Sequence, residues 1–292
     1  MSIREFSVLL MICTLWGVHF TVMRLTVGHY AEPFFYAAIR MSILAVILLP
    51  FLRWHKGQMK AVLLGGLGFG ALNYAFMFPA LELTTAAAAS VTIELYAPFS
   101  ILLSVIVLGE RLGPWKAVGV AMAFLGVVII GSGAPSEAAG PYYIVGIALM
   151  ACAAMSEAMG AVSVKFVKNI NPLQLLAWFA IVGSCVLWPL SLTFETHQLA
   201  AFSADTRWPF LAALFYSTIL VSLLAHGCYY WLLQRLPMQT VAPSGLMTTV
   251  IGVAAAAMLI GEPLTLRFLV GTLSTLAGVA VVLWRKSVTK PS

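Results

Sequence analysis

LGERLGPWKAVGVAMAFLG, residues 108–126, returns 152 positions later as IGEPLTLRFLVGTLSTLAG, residues 260–278. Leu108-Gly109-Glu110 falls on Ile260-Gly261-Glu262, Gly119 on Gly271, and Gly126-Val127 on Gly278-Val279, so a glycine spacing of seven follows each Gly-Glu pair. Nearer the start of the chain a shift of 141 places Arg24 on Lys165, and the growth in offset falls in the Glu195–Arg207 connection. The chain reads as two copies of one unit.

The medium around the copies follows from composition. Of 292 residues, 62% are hydrophobic and 9% charged, with a mean hydropathy of +1.00. A soluble domain carries about 25% charged residues, so an aqueous globular fold is excluded. At roughly 20 apolar residues per crossing, ten spans fit: Phe6–Val27, Pro33–Phe51, Ala61–Ala80, Ala86–Leu108, Trp115–Ser132, Tyr142–Val164, Pro172–Phe194, Trp208–Leu233, Gln239–Ile260 and Leu264–Trp284. Continuous runs of this length predict helices, because barrel strands alternate over about ten residues. Phe6–Val27 is too long for the apolar core of a cleaved signal peptide and is read as a retained span. The predicted fold is an all-α integral membrane protein. The Gly/Pro/Ser-rich break at 131–141 has loop chemistry, giving a first five-helix repeat at 1–133, a linker at 134–141 and a second repeat at 142–292.

Charge sets orientation. One side receives Arg4, Arg53, Lys56, Lys60, Arg111, Lys116, Lys165, Lys168, Arg235, Arg285, Lys286 and Lys290; the other receives Arg24, Arg207 and Arg267, with Arg40 inside a span. The positive-inside rule makes the first side cytoplasmic and puts both termini there. Each repeat has an odd number of crossings, so the second copy enters from the opposite face. Inverted repeats of this kind occur in transporters that bind cargo near the midplane where the repeats meet and alternate access by rocking.

The residue inventory bounds the chemistry. The net charge of +6 forms no basic stripe of the kind nucleic acid needs. Cys13, Cys152, Cys185 and Cys228 sit in apolar runs, predicting packing roles with no disulfide and no metal. A single aspartate, Asp205, excludes an aspartyl dyad or an Asp-rich metal site, and no His-Glu-x-x-His, Gly-x-Ser-x-Gly or Walker A motif is present. An enzyme, a cofactor and direct use of ATP are not expected. A channel would commonly use charged rings or a carbonyl filter, and neither is visible; composition does not reveal alternating access, so a membrane channel stays the alternative of a different class.

Leu15-Trp16-Gly17 with Phe20 and Arg24, Ala38-Ile39-Arg40, Pro98, and the two Gly-Glu stretches with their downstream glycines resemble the drug/metabolite transporter superfamily, in its ten-helix EamA-type branch. The likeness covers essentially the whole chain. Val250 in place of a second-half proline and Ile181 in place of a second Arg40 depart from the pattern and imply unequal bundles. Within the superfamily the chain is most similar to aromatic amino-acid exporters of bacterial inner membranes. The resemblance implies efflux of aromatic and other neutral amino acids or related metabolites, with organic cations as an alternative cargo; a monomer is one option for the working unit, and the sequence does not fix the oligomeric state.

Ionisable groups inside a bilayer cost several kcal/mol and usually face a bundle interior. Arg40, Glu94 and Glu157 qualify, with His19 and His226 behind them. Arg40 is read as a structural partner of a carboxylate or helix end, or else as a contact for a substrate carboxylate. Glu94 and Glu157 could hold an ammonium, exchange a proton or neutralise a neighbouring cation, with Lys165 in reach of Glu157. His226 aligns with Tyr74 at the 152 shift, so spans 3 and 8 should present matching polar-aromatic faces. The expected substrate-binding set is Trp16, His19, Asn73, Tyr74, Phe78, Glu94, Tyr96, Glu157, His226, Tyr230, Ser244 and Thr248, on spans 1, 3, 4, 6, 8 and 9. Pro98 and Pro243 are hinge candidates. Trp54, Trp115, Trp208 and Trp284 read as interfacial belts, and both Gly-Glu carboxylates as water-solvated turns.

Overall fold

The computed structural model describes residues 2–109, 111–133, 140–233, 235–236, 241 and 244–284; the side chains of 230, 233 and 284 lie outside the described set, as do Glu110, Pro243 and the 134–139 part of the linker. Ten helical spans run up and down in chain order. They are α1 (Ile3–Thr26), α2 (Pro33–Leu48, extended by a 3-10 turn to Phe51), α3 (Met59–Leu83), α4 (Ala86–Leu108), α5 (Pro114–Gly131), α6 (Tyr143–Val164), α7 (Pro172–Phe194), α8 (from Arg207 to Leu233), α9 (Ser244–Ile260) and α10 (Leu266–Trp284). Among the described residues nine helices are long and apolar enough to cross a membrane, and α9 shows 17 residues, shorter than the Gln239–Ile260 reading because 239–240 and 242–243 are not described. Large apolar side chains cover the outer surface, among them Val46, Ile106, Leu192, Met258 and Leu273, as a lipid-facing exterior requires.

Local chemistry explains the ends. Ser2 and Glu5 form a capping box at α1. Prolines at the first turn start α2, α5 and α7, where a missing N–H costs nothing. The exposed Trp54, Trp115 and Trp208 sit at span ends as a belt does. Two cysteines depart from the packing expectation, because Cys152 and Cys185 are exposed on the outer surface.

Packing follows the internal repeat. α5 lies against α10 through glycines that swap partners: Gly119 abuts the carbonyl of Gly278, and Gly126 that of Gly271. Residue number rises along one helix as it falls along the other, so these two equivalent helices are antiparallel. α2 and α7 cross likewise, with Ser42 bonded to Ser184 (2.8 Å) and Phe35 edge-on to Trp188 (5.9 Å). The α1–α9 contact has its counterpart in α6–α4, and α3–α6 in α8–α1. Exchanging each helix for the one five places on maps these packing pairs onto themselves.

On the face opposite Ile3, loops from later in the chain close on helix starts from earlier in it. Glu262 accepts hydrogen bonds from the Ala86 and Ala87 amides (2.7 and 2.8 Å), and Glu195 accepts from Phe34 and Phe35 (2.6 and 2.8 Å). Each carboxylate satisfies orphan N–H groups at a positive helix end. This corrects the solvated-turn reading for Glu262; Glu110 lies outside the described residues. Burial lifts the Glu262 and Glu195 carboxyls above the usual range, while the amide donors pull the other way. Replacing Glu262 by alanine should cost about 1–2 kcal/mol, the worth of a helix cap. Thermal unfolding in detergent checks this: Glu262→Ala should melt several degrees lower, and Glu262→Gln between it and wild type.

Candidate functional site

Three helices are broken at mid-span. In α3 the α-helix gives way to π geometry at Leu67–Leu72, and in α8 at Tyr216–Ala225. Shifted by 152, the first interval falls inside the second. Tyr74 and His226, the aligned pair, follow directly on these segments. A π turn widens the backbone and is frequent at functional positions; here it frees carbonyls that side chains occupy, since Ser222 bonds the Ser217 carbonyl (3.0 Å) and His226 Nδ1 that of Val221 (2.9 Å). In α4 a 3-10 turn at Ile93–Leu95 separates Ala86–Thr92 from Tyr96–Leu108. Pro98 lies four residues beyond Glu94, lacks an N–H to bond its carbonyl and crowds it. The break therefore sits where Glu94 does.

The aromatic part of the site gathers on α1 and α8. The Trp16 ring lies 5.1 Å from that of His226 and 5.2 Å from that of Tyr229. His19 is buried and stacks on Tyr216 at 6.3 Å, and Tyr216 donates to the Leu15 carbonyl (2.6 Å). Trp16 Nε1 and His19 Nδ1 are buried without hydrogen-bond partners among the described residues. Tyr216 escaped the sequence reading, and Tyr229, placed by it on the aromatic face of span 8, stood outside the expected binding set. Their spacing from Trp16 in the chain gives no hint of contact.

Arg40 is the most deeply buried cation, 1% exposed. Its Nη2 donates to Ser222 (2.9 Å), its guanidinium lies over the Tyr74 ring at 4.6 Å, and among the described residues Nε and Nη1 have no acceptor. Both His19 and His226 lie in its field. The expected structural pairing with a carboxylate is corrected: among the described residues no carboxylate bridges it, and the acid–base contact that occurs, His197 Nδ1 with Glu32 at 3.7 Å, lies at the start of α2. The reason is angular. Arg40 points to α3 and α8, whereas the half-buried acids belong to α4 and α6. Beside it Tyr36 joins Ser217 (2.6 Å) and the Ala213 carbonyl (2.9 Å), and the Tyr74 ring stacks on the buried Phe78 at 5.7 Å.

The two half-buried acids form a second group. Glu94 accepts from Thr249 of α9 (2.7 Å), and Glu157 of α6 accepts from Asn73 of α3 (3.3 Å), whose amide also bonds the Ala153 carbonyl (3.0 Å). The two carboxyls lie in each other's electrostatic reach. Lys165 donates to Ser104 (2.9 Å). Asn73 and Tyr74 are consecutive, so one turn of α3 faces the acids with one residue and Arg40 with the next.

The remaining predicted residues fall around this centre. Ser244 is buried and its carbonyl meets Cys13 Sγ at 3.4 Å; the Thr248 carbonyl packs on Gly17, where no Cβ fits. Tyr96 packs partly buried beside the core just beyond the 3-10 turn. The Tyr230 side chain and Pro243 lie outside the described residues. Thr249 and Ser222 escaped the sequence reading, because hydroxyls in apolar helices are too common to single out. Among the described residues no three His, Cys, Asp or Glu side chains gather as a metal site would need.

Comparison with known proteins fits this arrangement. The profile of the EamA-like transporter family matches twice, over residues 5–132 and 144–284. A Salmonella typhimurium protein named "Probable amino-acid metabolite efflux pump" is 27% identical over 96% of this chain and 95% of its own. An Escherichia coli K12 protein of the same name is 27% identical over 99% of both. One solved crystal structure superposes with a TM-score of 0.63 at 18% identity, over 96% of each chain, a likeness of fold alone.

Proposed function

We propose, from the premise that this chain belongs to the EamA-like transporter family, that it exports amino-acid-type metabolites by alternating access between two inverted five-helix units. The chain is a multi-span membrane transporter and not an enzyme. The finer reading rests on one observation: Arg40, Glu94, Glu157, His19 and His226 are gathered in the middle of the bundle, with no ion pair among them in the described residues. A buried cation and half-buried acids left apart are costly, and cargo carrying both charges would offset them. The names of the two bacterial relatives support the amino-acid class.

The units are residues 1–133 and 142–292 about a 134–141 linker. The self-mapping of the helix pairs supports a pseudo-twofold between them, so contacts that close one face have equivalents available at the other, as alternating access requires. The rings of Trp16, Tyr229 and His226 offer a stacking surface for aromatic cargo. The protein works as a single chain in the bacterial inner membrane, without ATP, and with both termini in the cytoplasm.

Counterflow into liposomes tests the function. Vesicles preloaded with phenylalanine, leucine or threonine should accumulate the labelled form of at least one transiently, with aromatic cargo favoured. Equilibration without overshoot would mean a pore. Orientation is checked separately: reporter fusions at either terminus should be active only in the cytoplasm, and termini on different faces would end the inverted-repeat scheme.

A further inference from the structure

We infer that Arg40 is the carboxylate-binding pole of the cargo site, its free guanidinium fork receiving the α-carboxylate of the exported solute. This rests on the exporter reading above and names the chemical group that the cargo must carry.

The argument begins with hydrogen-bond accounting. A guanidinium carries five N–H donors and cannot lose its charge. At Arg40 one Nη2 hydrogen goes to Ser222, and the π face of Tyr74 takes part of the charge without accepting any in-plane N–H. Among the described residues Nε and Nη1 find no acceptor. Nη2 shares one fork with Nε and the other with Nη1. Since Ser222 occupies one of the two Nη2 hydrogens, one complete fork of two parallel N–H groups stays open whichever it takes. Such a fork matches the two oxygens of a carboxylate.

Charge then narrows the ligand. Arg40 is 1% exposed, and it is the charged group whose field reaches both His19 and His226. One buried cation balances a monoanion; a dianion such as a phosphate monoester would leave net negative charge in a low dielectric. The Asn73–Tyr74 turn of α3 places the guanidinium on the side away from the Glu94–Glu157 pair. The fork is sealed from solvent in this conformation, so cargo reaches it in a conformation that parts α2 and α3 from α8.

The test compares acids with their amides in liposomes holding the full-length protein: labelled phenylalanine against phenylalaninamide, and leucine against leucinamide. Wild type should carry the acids at least tenfold better than the amides. Arg40→Gln should lose most acid transport and let the ratio fall toward one, while Arg40→Lys, which keeps charge but not the fork, should recover only part of it. The wild-type ratio needs no variant and so stands apart from folding. Acids and amides carried equally by wild type, or an unchanged ratio in Arg40→Gln, overturns the assignment while the exporter reading survives. No counterflow of any of the four overturns both.

Discussion

Gly126→Leu should largely abolish recovery of folded protein. A Cβ built at Gly126 runs into the Thr275 hydroxyl and stands 2.5 Å from both the Gly271 carbonyl oxygen and the Thr275 amide nitrogen. The obstacles are mostly backbone, so no rotamer change clears them, and α5 and α10 must separate. Glycine contacts of this kind let helix backbones approach closely enough for dispersion to hold them in lipid, where no hydrophobic force does so. Overpacking a core costs up to about 3 kcal/mol when side chains can yield, and here they are not the obstruction. The monodisperse fraction extracted in detergent should fall severalfold, and what remains should melt far below wild type. Gly271→Leu, at the position that faces Gly126, should behave alike, because its Cβ meets the Gly126 carbonyl at 2.7 Å. Gly113→Ala is the control: nothing lies within 4 Å of its Cβ and its φ of −72° suits any residue. Normal yield from Gly126→Leu would mean that α5 and α10 do not pack through these glycines.

These glycines were legible in the sequence because contact between small residues leaves a period that survives duplication. The span count was legible for a similar reason, since a bilayer imposes a length on every crossing. The prediction that α3 and α8 match was carried by His226 falling on Tyr74, and π segments at corresponding positions give it a physical basis. Those segments themselves leave no mark in an apolar run, where a changed helical pitch alters no hydrophobic pattern. Glu262 shows another limit. Its Gly-Glu turn was found, yet its partners, the Ala86 and Ala87 amides, are backbone groups that every residue possesses. Arg40 was singled out as costly, but its neighbours depend on the phase of α2 against α8, and Ser222 is one serine among many. Composition tells which groups need partners; only packing tells which of them are left wanting.

Glu157→Gln should cripple transport of amino acids while sparing cargo that lacks an amine. Glu157 is tied to α3 by a 3.3 Å bond from Asn73, and Glu94 to α9 by a 2.7 Å bond from Thr249. One acid is thus anchored to each side of the centre. Thr249 and Asn73 each supply one donor to these carboxylates, and a carboxylate has acceptor sites for an ammonium besides. A hydrogen bond to a charged group is worth about 1.5–3 kcal/mol, so loss of one should lower amino-acid turnover per unit concentration roughly 10- to 150-fold. The measurement is counterflow of phenylalanine against 3-phenylpropionate, which has the ring and the carboxylate but no amine. Wild type should favour phenylalanine, and Glu157→Gln should erase most of that preference by slowing phenylalanine alone. Glu94→Gln should act in the same direction, and the double variant should cost less than the two singles combined if both acids hold one ammonium. Glu82→Gln, exposed at the end of α3, should leave both rates unchanged. Should Glu157→Gln and Glu94→Gln each keep the wild-type preference, the acids serve α3 and α9 as struts, and the ammonium must be held elsewhere.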